Sequence, residues 1–249
     1  MGPGVVAGYS PPMTLPAVPL VATWGNGQIR GGTGFFLDVE GTIYLVTAAH
    51  LPRGERADDD WANWRSELTI ALQHRPRLSL FTTDLLGRRT PRFFFGRSST
   101  DPCRLVDVIA FPASPYDLDL QGVQVHSIRS VTPEVGEVVT LHGYPAEQAA
   151  WPTLRRLTGP VTGTVQAFLA FRVGVMGGFS GGPLVGSDGR FLGMVVGSGR
   201  PDFGPGDVSL GVRDDDDLAI VPGMISCLIT LVDGHFPPAL NIPFYLGRS

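Results

Sequence analysis

The sequence predicts an all-β protein built as two β-barrels followed by a C-terminal helix. Three observations point there. Short β-branched and aromatic runs recur along most of the chain. Turn residues punctuate them, with 33 Gly and 22 Pro among 249 residues, spread rather than clustered. The runs also fall into two comparable groups on either side of about residue 128, each with enough short strands for a barrel of its own.

The elements follow in order. Residues 1–17 read as an N-terminal extension and 18–127 as the first barrel. Its strands are "AVPLVATW", "GTGFFLDV", "TIYLVTAA", "LTIALQ", "LSLFTT", "RFFFG" and "LVDVIAFP". "RADDDWANWRSEL" carries an acidic start that suits a helix N-terminus. "DLQGVQVHSIRSVTPEVG" reads as a polar connection. The second barrel, with the helix, covers 128–231: "EVVTLHGY", "PVTGTVQAF", "AFRVGV", "GPLVG", "FLGMVVG", "VSLGV" and "LAIV". "PGMISCLITLV" opens with Pro222 and is apolar all round, so it predicts a helix docked on the body. Residues 232–249 read as an irregular tail.

Composition removes several function classes. A net charge of −4 offers no basic field for nucleic acid or anionic lipid. No apolar run approaches the roughly 18–20 residues of a membrane span. The N-terminus lacks a basic n-region, prolines interrupt its apolar part, and Val6 breaks the myristoylation pattern. A cytoplasmic location is therefore expected, although a trimmed secreted chain would read the same. Cys103 and Cys227 are too few for a disulfide framework, and two buried thiols are the better reading than a bridge. His and Cys show no zinc spacing, and no metal or other cofactor is expected. The acidic runs Asp58–Asp60 and Asp214–Asp217 read as solvated loops, with calcium as the alternative.

One stretch asks for chemistry. "GGFSGGPLVG", Gly177–Gly186, sets five glycines around Ser180 and Phe179. As the G-x-S-x-G elbow of an α/β-hydrolase it would need alternating helices and a downstream histidine. The helices are missing, and only His235 follows, in a proline-rich tail. "GNGQIRGGTG" superficially resembles a phosphate loop, but no helix follows and the chain has no Lys, so strand and turn is the better reading. A serine nucleophile needs a base, usually a histidine steadied by a buried carboxylate. It also needs N–H donors aimed at the developing oxyanion, which glycines permit. Upstream, "YLVTAAH" runs apolar into His50, and "LVDVIAF" buries Asp107 in an apolar stretch where a carboxylate requires a partner. Asp101, Asp117 and Asp119 lie in no such apolar stretch. His126 and His142 read as structural or exposed.

In kind, order and rough spacing, "TAAH", "DVIAF" and "GFSGGPLVG" resemble the three catalytic blocks of the chymotrypsin-fold (trypsin-like) serine proteases, over about residues 18–231. The resemblance implies a chymotrypsin-like double β-barrel with its site between the barrels. It implies a serine endopeptidase acting on protein or peptide substrates through an acyl-enzyme. His50 would be the general base, Asp107 its orienting carboxylate and Ser180 the nucleophile. The N–H groups of Gly178 and Ser180 would form the oxyanion hole. A substrate pocket would be lined by Gly174 and Val175, by Val196, Gly197 and Ser198, and by the strand near Leu218. Gly174 stands roughly where trypsin is acidic, which favours a small or medium apolar P1 residue. If Asp217 pointed inward, arginine would be preferred instead.

The departures matter as well. Phe179 replaces the aspartate that pairs with a newly cut N-terminus in secreted animal members, and no activation site is obvious. The chain is closer to bacterial and intracellular branches, including the HtrA type, so no activation by N-terminal cleavage is expected. No room is expected for a PDZ domain after the helix. A regulatory partner or homo-oligomer could then hold the loop around Ser180. The competing reading is a silent or partner-activated scaffold, against which stand three intact catalytic side chains. Trp61 and Trp64 read equally as recognition aromatics or as barrel packing.

Overall fold

A computed structural model describes residues 14–230 apart from 24–28, 54–60, 62–63, 73–75, 98–104, 115–117, 119, 130–131, 147–151, 166–167, 199–212 and 214. The N-terminal half contains β1 (Val18–Thr23), β2 (Ile29–Val39), β3 (Thr42–Thr47) and the short helix α1 (His50–Arg53). It continues with β4 (Glu67–Ile70), β5 (Arg77–Ser79), β6 (Phe81–Thr83), β7 (Arg89–Pro91), β8 (Phe94–Arg97), β9 (Leu105–Pro112) and β10 (Val125–Ser127). The C-terminal half contains β11 (Val138–Gly143), β12 (Arg155–Val165), β13 (Phe168–Phe171), β14 (Pro183–Gly186), β15 (Phe191–Ser198), β16 (Asp217–Ile220) and helix α2 (Pro222–Thr230).

The first sheet runs β5-β4-β1-β2-β3-β9-β8, a half-barrel among the described residues, with β6 and β7 as a separate hairpin. The second closes fully as β11-β12-β13-β16-β15-β14. The fold is thus the chymotrypsin-like double β-barrel that the sequence predicts.

The unbroken apolar runs are explained by strands buried on both faces. Side chains alternate along a strand with period two. On β2, Phe35, Leu37 and Val39 face the cluster between the barrels, while Phe36 faces the interior of the first. β9 divides the same way, with Val106, Val108 and Ala110 on one side and Ile109 and Phe111 on the other. β16 repeats the pattern, sending Leu218 and Ile220 to the cluster between barrels and Ala219 into its own barrel. Met224, Ile225, Leu228 and Ile229 of α2 join that shared cluster, so the helix closes the seam.

Two details differ from the sequence reading, and one open alternative is decided. The segment read as a polar connection contains β10, which pairs in parallel with β2, Val125 opposite Phe36. The helix expected over "RADDDWANWRSEL" lies partly outside the described residues, and its end, Glu67–Leu68, is strand β4. Glu67 is exposed and Leu68 buried there, so period two outweighs the acidic start. Trp64 is 3% exposed and stacks on Phe93, with Trp61 packed edge-on against it and against Phe93 and Phe95. Both tryptophans belong to the first barrel's core rather than to a recognition surface.

Candidate active site

His50 opens α1 directly after β3, and Asp107 is the third residue of β9. β3 and β9 are antiparallel neighbours with Thr47 opposite Ile109, so the end of one meets the start of the other. The Asp107 carboxylate grips His50 twice. Oδ2 lies 2.7 Å from Nδ1, and Oδ1 accepts the His50 backbone N–H at 2.8 Å. An ionised carboxylate only accepts, so Nδ1 carries the proton and the neutral ring keeps its lone pair on Nε2. Asp107 is buried. Burial alone would raise its pKa, but the His50 charge and hydrogen bonds, with Arg53 adding, hold the carboxyl below its ordinary value.

Ser180 sits in a loop whose carbonyls from Met176 to Ser180 are all hydrogen-bonded. Phe179 N–H donates to Met176 O at 3.2 Å, and Gly178 between them has φ +92°. That is the pattern of a type II turn, which demands positive φ at its third residue. A Cβ on Gly178 would lie 2.5 Å from Ala146 N and from Tyr144 O. Gly177 O accepts Ala146 N–H at 3.0 Å, and Phe179 O accepts Gly182 N–H at 2.9 Å. In a trans peptide the N–H points opposite to the C=O. Anchoring those two carbonyls therefore turns the N–H groups of Gly178 and Ser180 away from the body. Among the described residues neither has a protein acceptor.

Gly181 brings the serine against the first barrel. Its φ is +84°, and a Cβ there would stand 2.2 Å from Thr33 O and 2.6 Å from Thr47 Oγ1. No other residue type fits. Ser180 Oγ donates to Val196 O at 3.4 Å, and among the described residues no hydrogen bond joins it to His50. Phe179 is fully buried in the second barrel's core. Gly143 makes room for its ring: a Cβ there would be 2.4 Å from it.

The expected pocket walls also meet. β16 lies between β13 and β15, so Asp217 pairs with Phe171 on one side and Ser198 on the other, and Gly197 pairs with Leu218. Gly174 is exposed, with φ +74° and open space where a Cβ would be. Val175 is partly buried and Val196 buried. The Asp217 carboxylate is already engaged. It accepts the N–H groups of Val173 at 2.9 Å, Gly174 at 2.8 Å and Val175 at 3.2 Å, and Asp217 is 2% exposed. Burial raises its pKa; the three N–H bonds oppose this, and the neighbouring Asp216 charge adds to it. Asp216 and Asp215 bind Arg172. Asp58–Asp60, Asp214, Cys103 and His235 lie outside the described residues, as do Asp101, Asp117 and Asp119. Among the described residues no cluster of metal-ligating side chains occurs, and no helix is long and apolar enough to cross a membrane.

Two residues escaped the sequence reading: Thr33 and Ala146, whose backbone or hydroxyl groups hold the serine loop. Thr33 had one signal, a lone polar side chain inside the glycine-flanked start of a buried strand.

A double barrel that carries a carboxylate-gripped histidine on one half and a glycine-flanked serine on the other has the architecture of the trypsin-like fold class. The chain belongs to the family of the trypsin-like peptidase domain, whose sequence pattern matches residues 32–194. No curated protein sequence matches it. Solved structures share its fold. The serine endoprotease from Yersinia pestis is 18% identical with a TM-score of 0.52, over 86% of this chain and 61% of that one. The HtrA-type protease AlgW, solved with a tripeptide, is 18% identical with a TM-score of 0.54, over 89% and 62%. The Rv3671c protease from M. tuberculosis in its active form is 16% identical with a TM-score of 0.52, over 94% and 86%. The chain thus spans about three fifths of the first two.

Proposed function

We propose that the chain hydrolyses peptide bonds through His50, Asp107 and Ser180. His50 Nε2 takes the Ser180 proton as Oγ bonds to the scissile carbonyl carbon. The N–H groups of Gly178 and Ser180 receive the oxyanion. The imidazolium, stabilised by Asp107, gives its proton to the departing amine as the C–N bond breaks. Water then attacks the acyl-enzyme, losing a proton to His50, and Ser180 Oγ regains it as the acid product leaves.

The observation that carries this reading is the double grip of Asp107 on His50, which leaves Nε2 as the base. Labelling with a fluorophosphonate, mapped by mass spectrometry, tests it. An adduct on Ser180 that disappears in His50→Ala is the expected result. A folded chain without an adduct would overturn it.

For the substrate, we favour a small or medium apolar P1 residue. Asp217 points inward, but its oxygens hold the backbone of Val173–Val175 rather than an open pocket. A peptide library with an arginine optimum at P1 would refute this preference. One observation favours a partner-activated form: the Ser180 hydroxyl rests on Val196 O. The turned-out N–H groups of Gly178 and Ser180 oppose it. Labelling that starts only when a partner is added would support it.

A further inference from the structure

We propose that Thr33 is the positioning residue of the oxyanion loop, a clamp from the first barrel that holds the peptide between the two donor peptides and the one after them, and so keeps both donors in their working orientation. Thr33 is fully buried on β2, and all of its polar groups are engaged. Its hydroxyl donates to Gly178 O at 2.7 Å and accepts Tyr144 N–H at 2.9 Å. Its N–H donates to Ser180 O at 3.3 Å, and its carbonyl accepts the Thr47 hydroxyl at 2.7 Å. The directions are unambiguous, because a carbonyl only accepts and an amide N–H only donates.

The geometry gives these contacts a purpose beyond packing. The Gly178 N–H lies in the peptide plane before Gly178, and that plane is joined at the Gly178 Cα to the one after it. Ala146 holds the first through Gly177 O, and Thr33 holds the second through Gly178 O. Gly178 is a glycine at positive φ, the residue type with the freest backbone, so an unheld loop would readily turn its peptide over. The Thr33 N–H on Ser180 O fixes the far side of the nucleophile. The carbonyls on either side of Phe179 thus end on one residue of the opposite barrel. Thr is β-branched and stiff at χ1, which keeps the hydroxyl aimed without further support. The loop then needs no cut N-terminus to hold it, consistent with Phe179 standing where an aspartate latch would be.

The kinetic consequence rests on the endopeptidase reading; the structural one does not. The test therefore has two readouts on the full chain: the rate of fluorophosphonate labelling at Ser180, and amide hydrogen exchange over residues 174–182. Thr33→Val keeps the shape and removes the hydroxyl; Thr33→Ala removes it with less crowding; Thr33→Ser restores it. Since a single oxyanion donor is worth about 10²–10³-fold, a misaimed one should slow labelling by at least about tenfold. That loss should fall in the maximal rate of inactivation, with little change in reagent affinity. Exchange should rise in 174–182 but not in β3, and Thr33→Ser should recover most of both losses. Unchanged exchange and labelling in a folded Thr33→Val would overturn the proposal. So would protection lost evenly across both barrels in Thr33→Val and Thr33→Ala, since that marks a residue serving the fold alone. If the wild-type chain takes no label, the endopeptidase reading fails and the exchange result alone decides the role of Thr33.

Discussion

Asp107 shows what one buried carboxylate does when both oxygens are used. Replaced by Asn, one acceptor becomes an NH₂ donor and the ring loses the partner that sets its tautomer. Asp107→Asn should slow Ser180 labelling by about 10³–10⁴-fold with the fold intact, checked by reaction rate alongside thermal unfolding. Gly181 is constrained differently. At φ +84°, with Thr33 O 2.2 Å from any Cβ, Gly181→Ala must move backbone, not a flexible side chain. It should lower stability by about 1–3 kcal/mol in urea unfolding and also abolish labelling. Both residues were legible in the sequence because their chemistry is unusual for their surroundings: a carboxylate within "LVDVIAF", glycines around a serine. Thr33 was not, because a threonine in a strand is ordinary. Its role appears only when the other barrel arrives.

At the scale of elements, the serine loop is pinned at its centre by Phe179, which fills space left by Gly143 on β11. Phe179→Ala should cost about 3–5 kcal/mol of stability, as for other buried phenylalanines. It should also raise hydrogen exchange in the loop before global unfolding. The reverse lesson comes from β10. Three residues, Val125–Ser127, with only His126 among them buried, are too short a run to announce a strand. They pair because β2 offers them an edge, which is a tertiary fact. The apolar run of α2, by contrast, announced a docked helix, and the seam between the barrels is where it docks.

At the scale of the whole molecule, that seam and the second barrel hold two buried histidines. His126 lies between Phe35 and Phe191 and donates Nε2–H to Pro16 O at 2.8 Å. Burial pushes its pKa down, with the Pro16 bond opposing. His142 is pushed from 6.5 to about 4, by burial first and then by Arg156 and His126. The unfolded chain takes up these protons near pH 6.5, and the folded chain resists them. As these two histidines act, stability should be level from pH 6.5 to about pH 9 and fall as pH drops from 6.5 toward about 4. Urea midpoints measured across that range check this, and His142→Gln should flatten the slope. A midpoint independent of pH between 4 and 6.5 would refute it.

The class of fold was determined by the sequence itself, which also names the candidate site residues and their order along the chain. A glycine-flanked serine, a strand-end histidine and a carboxylate inside an apolar run each leave a local mark, and strands buried on both faces leave unbroken apolar runs. The tertiary structure decided what depends on approach between distant segments. It turned Asp217 onto the backbone of Val173–Val175, packed Trp61 and Trp64 into a core, and set Thr33 across the seam onto the serine loop. Those outcomes rest on distances and hydrogen-bond directions between residues far apart in the chain, and no pattern within a single segment encodes them.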